Sequence, residues 1–404
     1  MAVHDSDPSA TAEVGSAVTD EGRVLLDLIA GHLPQIREEA DRHDREGSFP
    51  AQTFAALRKD GVLGGTVPTD LAGLGVRSLH DVASVLHRVA EADASTALAL
   101  HMQLSRGLTL SYDWRHGSAD ARSLAERLLT GMGSGEAVVC TTVKDGGGRV
   151  TRLLPAGDGW VLSGRKTLAS LAPVATHFVV MARAGTDAAP TAAAAVLTRD
   201  TPGLTVLNNW DGLGMRASGT VDIVLDDCPV PADSVFLRGP LGQRDDGGLA
   251  GQTVSSITML GIYTGVAQAA RDNAVETLRR RSAPAWGPAV RTLVAEVDAR
   301  LYALIATVST ALRTADHFSE RFQGDRGERG RRMMHAFQRA KLMANRLAPE
   351  IVADCLTVVG GSSYVAANPL SRYYRDVRAG AFMHPFTYPD AVDYLSSVTL
   401  DGHH

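Results

Sequence analysis

The chain has 404 residues, 45% of them hydrophobic and 21% charged, with a formal net charge of −5. That is longer than one typical domain and predicts two or three units of an ordinary globular protein. A mildly acidic balance gives no electrostatic case for a nucleic-acid partner or an anionic membrane surface.

Cys140, Cys228 and Cys355 are far apart, odd in number and in no metal-ligand spacing. Neither a disulfide framework nor a metal site is expected, and a reducing, cytoplasmic compartment is. No apolar run approaches the roughly 18 residues of a membrane span, and no basic region followed by an apolar core opens the chain. Residues 1–17, rich in Ala, Ser, Asp and Thr, read as a disordered leader, and His403-His404 is given no chemical role. The basic clusters Arg279-Arg280-Arg281 and Arg326 to Arg332 read as solvated helix ends or loops.

From Thr19 to about Thr130 the pattern is helical, giving an N-terminal helical domain at 18–134. Val24, Leu25, Leu28 and Ile29 open one apolar stripe. Phe54, Leu57, Val62 and Leu63 close the next helix onto a glycine-punctuated loop, Gly61 to Gly75. Two more helices are expected, Asp81 to about Ala92 and Ser95 to about Tyr112, with Ser95 as N-cap.

Composition then changes. Residues 135–238 alternate and are broken by glycines: Ala137 to Thr141, Gly159 to Gly164, His177 to Met181 and Thr220 to Leu225 read as short strands. They predict a small antiparallel barrel or sandwich. Asp145-Gly146-Gly147-Gly148 reads as a turn. After a Gly- and Asp-rich linker from Gly239 to Gly248, residues 239–404 return to helix. Val290, Leu293, Val294, Val297, Leu301, Leu304, Ile305, Val308 and Leu312 form one stripe; Met333, Phe337, Met343, Leu347, Ile351, Cys355 and Val358 form another. Long amphipathic helices of this kind predict a four-helix bundle. Near the end, the charge-rich run Arg372-Tyr373-Tyr374-Arg375-Asp376 is expected to break at Gly380 and deliver His384 onto a turn locked by Pro385.

This order of helices, β domain and bundle resembles the acyl-CoA dehydrogenase superfamily, from about residue 20 onward. Glu91-Ala92-Asp93-Ala94-Ser95 leads a helix in the family's manner, and Gly159 to Lys166 resembles its "G-x-K" strand pair. Asp211-Gly212-Leu213-Gly214-Met215-Arg216-Ala217-Ser218-Gly219-Thr220 is similar to its β-domain signature, followed by Asp226 to Pro231. In the bundle, Gly265 to Ala270, Val359-Gly360-Gly361-Ser362-Ser363-Tyr364 and Arg375-Asp376 fall in matching order. The resemblance implies the fold above and a flavin cofactor, FAD, or FMN or reduced flavin supplied by a reductase. Thr141 or Thr142 and Ser170 would hydrogen-bond the ring, and Arg216 and Ser218 would serve the flavin or its phosphates. Gly360-Gly361 would let backbone approach the phosphates or adenine. Part of that site would come from a neighbouring subunit in a homotetramer or dimer. His101 and Gln103 would line the substrate side.

The departures set the functional expectation. Family dehydrogenases carry a glutamate base on the loop after the Arg-Asp pair, a place that falls here on His384; some members take it from a position that falls near Ser255. Neither is a carboxylate. Leu168 stands where an aromatic commonly lies against the flavin, and Thr141-Thr142-Val143-Lys144-Asp145-Gly146 replaces the usual Thr-Glu-Pro-like stretch. A second branch keeps the fold but hydroxylates or N-oxidises its substrates with reduced flavin and oxygen, and tends to carry a histidine on this loop. Histidine, with an ordinary pKa of about 6.5, can hydrogen-bond the oxygen-loaded flavin or take a proton from a phenol or amine. A flavin-dependent monooxygenase is therefore expected, with His384 catalytic. The alternatives are a divergent FAD-dependent acyl-thioester dehydrogenase and a non-catalytic member kept as a binding module.

Overall fold

In the computed structural model residues 13–401 are described, except 186–188, 242–244, 282–285 and 322–323; His403-His404 lies outside the described residues. The leader expected over 1–17 is corrected at its C-terminal end. Val14 is buried and its N–H donates to Ser309 Oγ (2.9 Å), while Gly15 N–H donates to Ser84 Oγ (3.0 Å), so residues 13–17 are stitched across two helices.

The N-terminal domain comprises α1 (Asp20–Ala30), α2 (Leu33–Glu46), α3 (Ala51–Lys59), α4 (Leu79–Ala92), α5 (Ala94–His116) and α6 (Ala119–Gly133). Side-chain caps set several starts: Thr19 accepts from Gly22 N–H, and Ser78 from Asp81 N–H. The cap of α5 is Asp93, whose carboxylate accepts from Thr96 N–H (2.7 Å). The expectation of Ser95 is corrected: its hydroxyl faces the next domain and accepts from Ala217 N–H (3.3 Å).

Strands β1 (Val139–Thr142), β2 (Arg152–Ala156), β3 (Gly159–Ala169), β4 (His177–Ala184), β5 (Thr191–Thr198), β6 (Leu204–Val206), β7 (Val221–Val230) and β8 (Val235–Pro240) form one sheet in the order β6-β7-β3-β2-β4-β5-β8, with β1 paired to β4. The ladders are mostly antiparallel, but β1 and β2 each run parallel to β4, which strand alternation alone could not reveal. This domain has its own core around Phe178, Leu162, Ile223 and Cys228.

The C-terminal domain holds α7 (Gly248–Val254), α8 (Leu260–Arg280), α9 (Pro288–Arg321), α10 (Arg326–Val359), α11 (Pro369–Asp376) and α12 (Tyr388–Asp401). The two long stripes become α9 and α10, and their buried faces join α4, α5 and α8 in one core. No helix among the described residues is long and apolar enough to cross a membrane. The basic runs are less free than expected. Arg281 donates to Val359 C=O and Ser362 Oγ, and Arg331 pairs with Asp246 (2.8 Å).

The Arg-Asp run is a latch between all three domains. Arg372, almost fully buried, bonds Asp93 and Asp41 of the N-terminal domain (3.1 Å each), and Arg375 clasps Asp44. Asp376 accepts from Met215 N–H of the β domain (2.6 Å). A Cβ on Gly214 would lie 2.4 Å from Arg375 C=O, so only glycine lets this loop seat against α11. The expected break at Gly380 is also corrected: after α11 the chain continues as 3-10 helix from Val377 through Phe382.

Candidate active site

On the β domain the site begins where β1 runs beside the far end of β3. Thr167 N–H donates to Lys144 C=O (3.0 Å), and the Cys140 thiol reaches Ser170 C=O (3.1 Å). Lys166, 1% exposed, bolts the two segments together through Val143 C=O (3.0 Å) and Asp145 Oδ1 (2.7 Å). Burial lowers the lysine's pKa, and the Asp145 carboxylate opposes that. Asp145 itself stays below its usual range: burial would raise it, but bonds from Lys166 and Thr151 outweigh burial. The glycine turn is therefore anchored by its aspartate.

Beyond Lys166 the register of β3 against β7 slips, and Leu168 adopts φ 59°. Such bulges re-aim side chains at sheet edges and sites. Leu168 is turned outward, 44% exposed, and Val143 is 50% exposed. Among these apolar residues, Thr142 Oγ1 is buried with no hydrogen-bond partner. An orphaned hydroxyl costs about 1–3 kcal/mol, so its presence points to a polar ligand atom at this face. Apolar surface flanking a lone hydroxyl suits a flat ring edged with heteroatoms, and the residues present fit a flavin.

The other expected contacts divide. Thr141 Oγ1 accepts from Arg106 Nε (2.8 Å), a residue the sequence did not single out. Ser170 Oγ lies 2.8 Å from Thr220 Oγ1, which lies 2.6 Å from Ser218 Oγ, which donates to Met215 C=O (2.7 Å). Each hydroxyl has one proton. Because Ser218 gives its proton to a carbonyl, Thr220 must donate to Ser218 and Ser170 to Thr220. Ser170 thus presents only lone pairs to anything further. Ser218, fully buried, is a link in that chain, correcting its assignment to the flavin or its phosphates. Arg216 is likewise turned inward, bonding Asp44 C=O (2.8 Å), Asp211 (3.1 Å) and Gly212 C=O (3.2 Å), so it joins the loop to α2.

Gln103 is removed from the substrate pocket. Its amide donates to Leu63 and Ala137 C=O (3.2 Å each) and accepts from Val139 N–H (2.7 Å), splicing α5 to the start of β1. His101 is buried with Nδ1 3.1 Å from Thr258 Oγ1, on the turn leading into α8. Burial lowers its pKa to about 4, so it is neutral at ordinary pH. Gly360 ends α10 with φ 79°, a conformation suited to glycine. Gly360 and Gly361 are exposed, with open space where a Cβ would sit.

His384 is exposed, on the turn between the 3-10 segment and α12, in a cis peptide with Pro385. Its pKa is lowered, first by partial burial and then by the positive charges of Lys144 and Lys341; a bond to Pro385 C=O and the Asp390 carboxylate pull the other way. Lys144 belongs to the β-domain segment just described, so the charge of that segment reaches His384. Asp390 is occupied at the start of α12, accepting from Thr387 N–H (3.0 Å) and Oγ1 (2.5 Å). At the other expected base position, Ser255 ends α7 and donates to Gln252 C=O (2.9 Å). Neither place offers a free carboxylate.

A face that fits a flavin, with no free carboxylate at His384 or Ser255, is that of a flavin-dependent oxidoreductase of monooxygenase type rather than a dehydrogenase. Family models for the acyl-CoA dehydrogenase N-terminal, middle and C-terminal domains match residues 30–136, 141–228 and 257–388, and the chain belongs to that family. An L-evernosamine nitrososynthase of a Micromonospora species is 57% identical over 391 residues, covering 96% of this chain and 93% of that one. An amino sugar nitrososynthase of Streptomyces rubradiris is 59% identical over 392 residues, covering 96% and 92%. The X-ray structure of KijD3 in complex with FMN and dTDP-3-amino-2,3,6-trideoxy-4-keto-3-methyl-D-glucose aligns with a TM-score of 0.95 at 61% identity, covering 99% and 98%. The cofactor is a flavin.

Proposed function

We propose that the chain oxidises the primary amine of a nucleotide-linked amino sugar to the nitroso stage. It uses FMN that arrives reduced from a separate reductase, together with O₂. The observation that carries this reading is the absence of a free carboxylate at His384 or Ser255, the two places where the family resemblance puts the base, with His384 an imidazole of lowered pKa. The substrate class is supported by the amino-sugar nitrososynthases above and by the FMN and dTDP-sugar bound to KijD3.

Reduced flavin would supply two electrons per round and activate O₂. Two rounds balance: one amine, two O₂ and two reduced flavins give one nitroso group, three waters and two oxidised flavins. His384 would take the proton that the amine nitrogen loses as it is oxidised, a role open to an imidazole left neutral near pH 7. Thr142 would donate to or accept from the ring edge, while Leu168 and Val143 exclude water from its face. His101, neutral and held by Thr258, would line the substrate side without adding charge. Gly360-Gly361 would meet flavin phosphate or a neighbouring subunit in a dimer or tetramer.

The test is to supply a dTDP-linked 3-amino sugar, FMN, a flavin reductase and ¹⁸O₂. The expected product has lost the amine hydrogens and gained one labelled oxygen, with oxygen uptake that depends on the sugar. Anaerobic bleaching of bound flavin by an acyl thioester, without an oxygenated sugar product, would overturn the reading.

A further inference from the structure

Lys341, the one lysine in residues 239–404, is 2% exposed on the inner face of α10. Among the described residues its ammonium has no carboxylate in ion-pair contact. It donates instead to Met383 C=O and Phe386 C=O, the carbonyls on either side of the His384–Pro385 peptide. Burying a charge without an ionic partner is expensive, and a methionine would fill the same space without that cost. The charge sits where it can hold two carbonyls of one turn.

We propose that Lys341 is the positioning residue of the active-site turn, fixing the His384 imidazole opposite the β-domain face through the two carbonyls that flank it. The inference builds on the catalytic reading of His384 but makes a separate physical claim. Three charged groups face His384: Lys144 from the β domain, Lys341 from α10 and Asp390 from α12. Two are positive, so the lysine that positions the ring also disfavours its protonation. Burial lowers the pKa of Lys341 itself to about 8, with Asp390 opposing, so it is mostly charged at pH 7. Asp390 is kept ionised by its bonds to Thr387, which hold its pKa below the usual carboxylate value.

Two variants separate the bonds from the charge. Lys341→Met removes both; Lys341→Gln removes the charge and keeps an amide with two N–H donors. Displacing a catalytic group by about 1 Å can cost on the order of 10²-fold in rate. Lys341→Met is therefore expected to lower kcat by roughly that factor, with KM for the amino sugar and affinity for FMN little changed. Lys341→Gln should recover part of kcat. In both, the His384 imidazole followed by NMR should titrate at higher pH than in the wild type, because one of the two cations opposing its protonation is gone. A residue remote from the turn would leave that titration where it is, and one acting through its charge alone would give the two variants the same kcat. Wild-type kcat in Lys341→Met, or an unmoved His384 titration in either variant, would overturn the proposal. If Lys341→Met does not fold, Lys341→Gln and its titration decide alone. If His384→Ala turns over normally while the titration still moves, the catalytic reading of His384 has failed and the claim about Lys341 stands.

Discussion

The two halves of the site are built in opposite ways. The β-domain face is held by many bonds of several kinds: strand ladders, the Lys166 bolt, the anchored Asp145 turn and a directed chain of hydroxyls. The His384 turn is short and exposed, tethered from inside by Lys341 and at its far end by Thr387 on Asp390. The face is redundant, so single changes there should tune flavin binding. The turn is not, so single changes there should alter chemistry while leaving the flavin in place.

The most severe way to break this contrast is His384→Ala. Loss of a general acid or base costs typically 10²–10⁴-fold, and turnover of the amino sugar should fall by that much while the dissociation constant for FMN stays near wild type. Steady-state kinetics beside a fluorescence titration of FMN measure both. Because His384 has a lowered pKa, the wild-type rate should lose its acid limb at a pH below the ordinary histidine value. Turnover and flavin affinity falling together would show that the two halves are not separable.

This contrast also explains what could be read from the sequence. The face was legible because its residues lie in contiguous strands with glycine punctuation, and the order of such segments is distinctive. The histidine was legible by counting from Arg375-Asp376. Its support was not. Lys341 stands four residues after Phe337 and seven after Met334, both fully buried, so a lysine on an apolar stripe was the available signal. Its partners, more than forty residues further on, cannot be inferred from helical spacing. Gln103, Arg216 and Ser218 show the converse. Each is polar and near the site in sequence terms, but their hydrogen bonds turn inward to backbone or to neighbouring hydroxyls, a choice that only tertiary packing makes.

The latch between the two halves offers a second test. Asp376 is fully buried, and although Met215 N–H satisfies one oxygen, the other has no partner. Burial pushes its pKa up to about 7, against the pull of Arg372. A carboxyl raised above its unfolded value of about 3.9 contributes stability that is fully present below that value and is lost as pH rises through the folded one. Between about pH 4 and pH 7 the wild type should therefore lose stability through this group, by an amount of the order of a few kcal/mol. Asp376→Asn keeps an acceptor for Met215 and cannot ionise, so denaturant unfolding of the variant should show a flatter profile over that window. An unchanged slope would mean that Arg372 already holds Asp376 ionised.

The smallest expected effect lies wholly within the β-domain face. Ser170 gives its proton to Thr220, so it can accept from a flavin but cannot donate to one. Reduction converts ring nitrogens of the isoalloxazine from acceptors to N–H donors, and an acceptor-only serine therefore favours the reduced form. Thr220→Val removes the receiving hydroxyl and frees the Ser170 proton, while leaving Lys166, Thr142 and the His384 turn untouched. A neutral hydrogen bond contributes about 0.5–1.5 kcal/mol, so the preference for reduced over oxidised FMN should narrow by roughly two- to tenfold. Anaerobic titration with dithionite-reduced FMN, set against aerobic titration with the oxidised form, measures that ratio. The gain should come from tighter binding of oxidised FMN. A ratio that stays fixed would mean that Ser170 does not face a ring nitrogen, and the hydroxyl chain would then serve only to brace the loop from Met215 to Thr220.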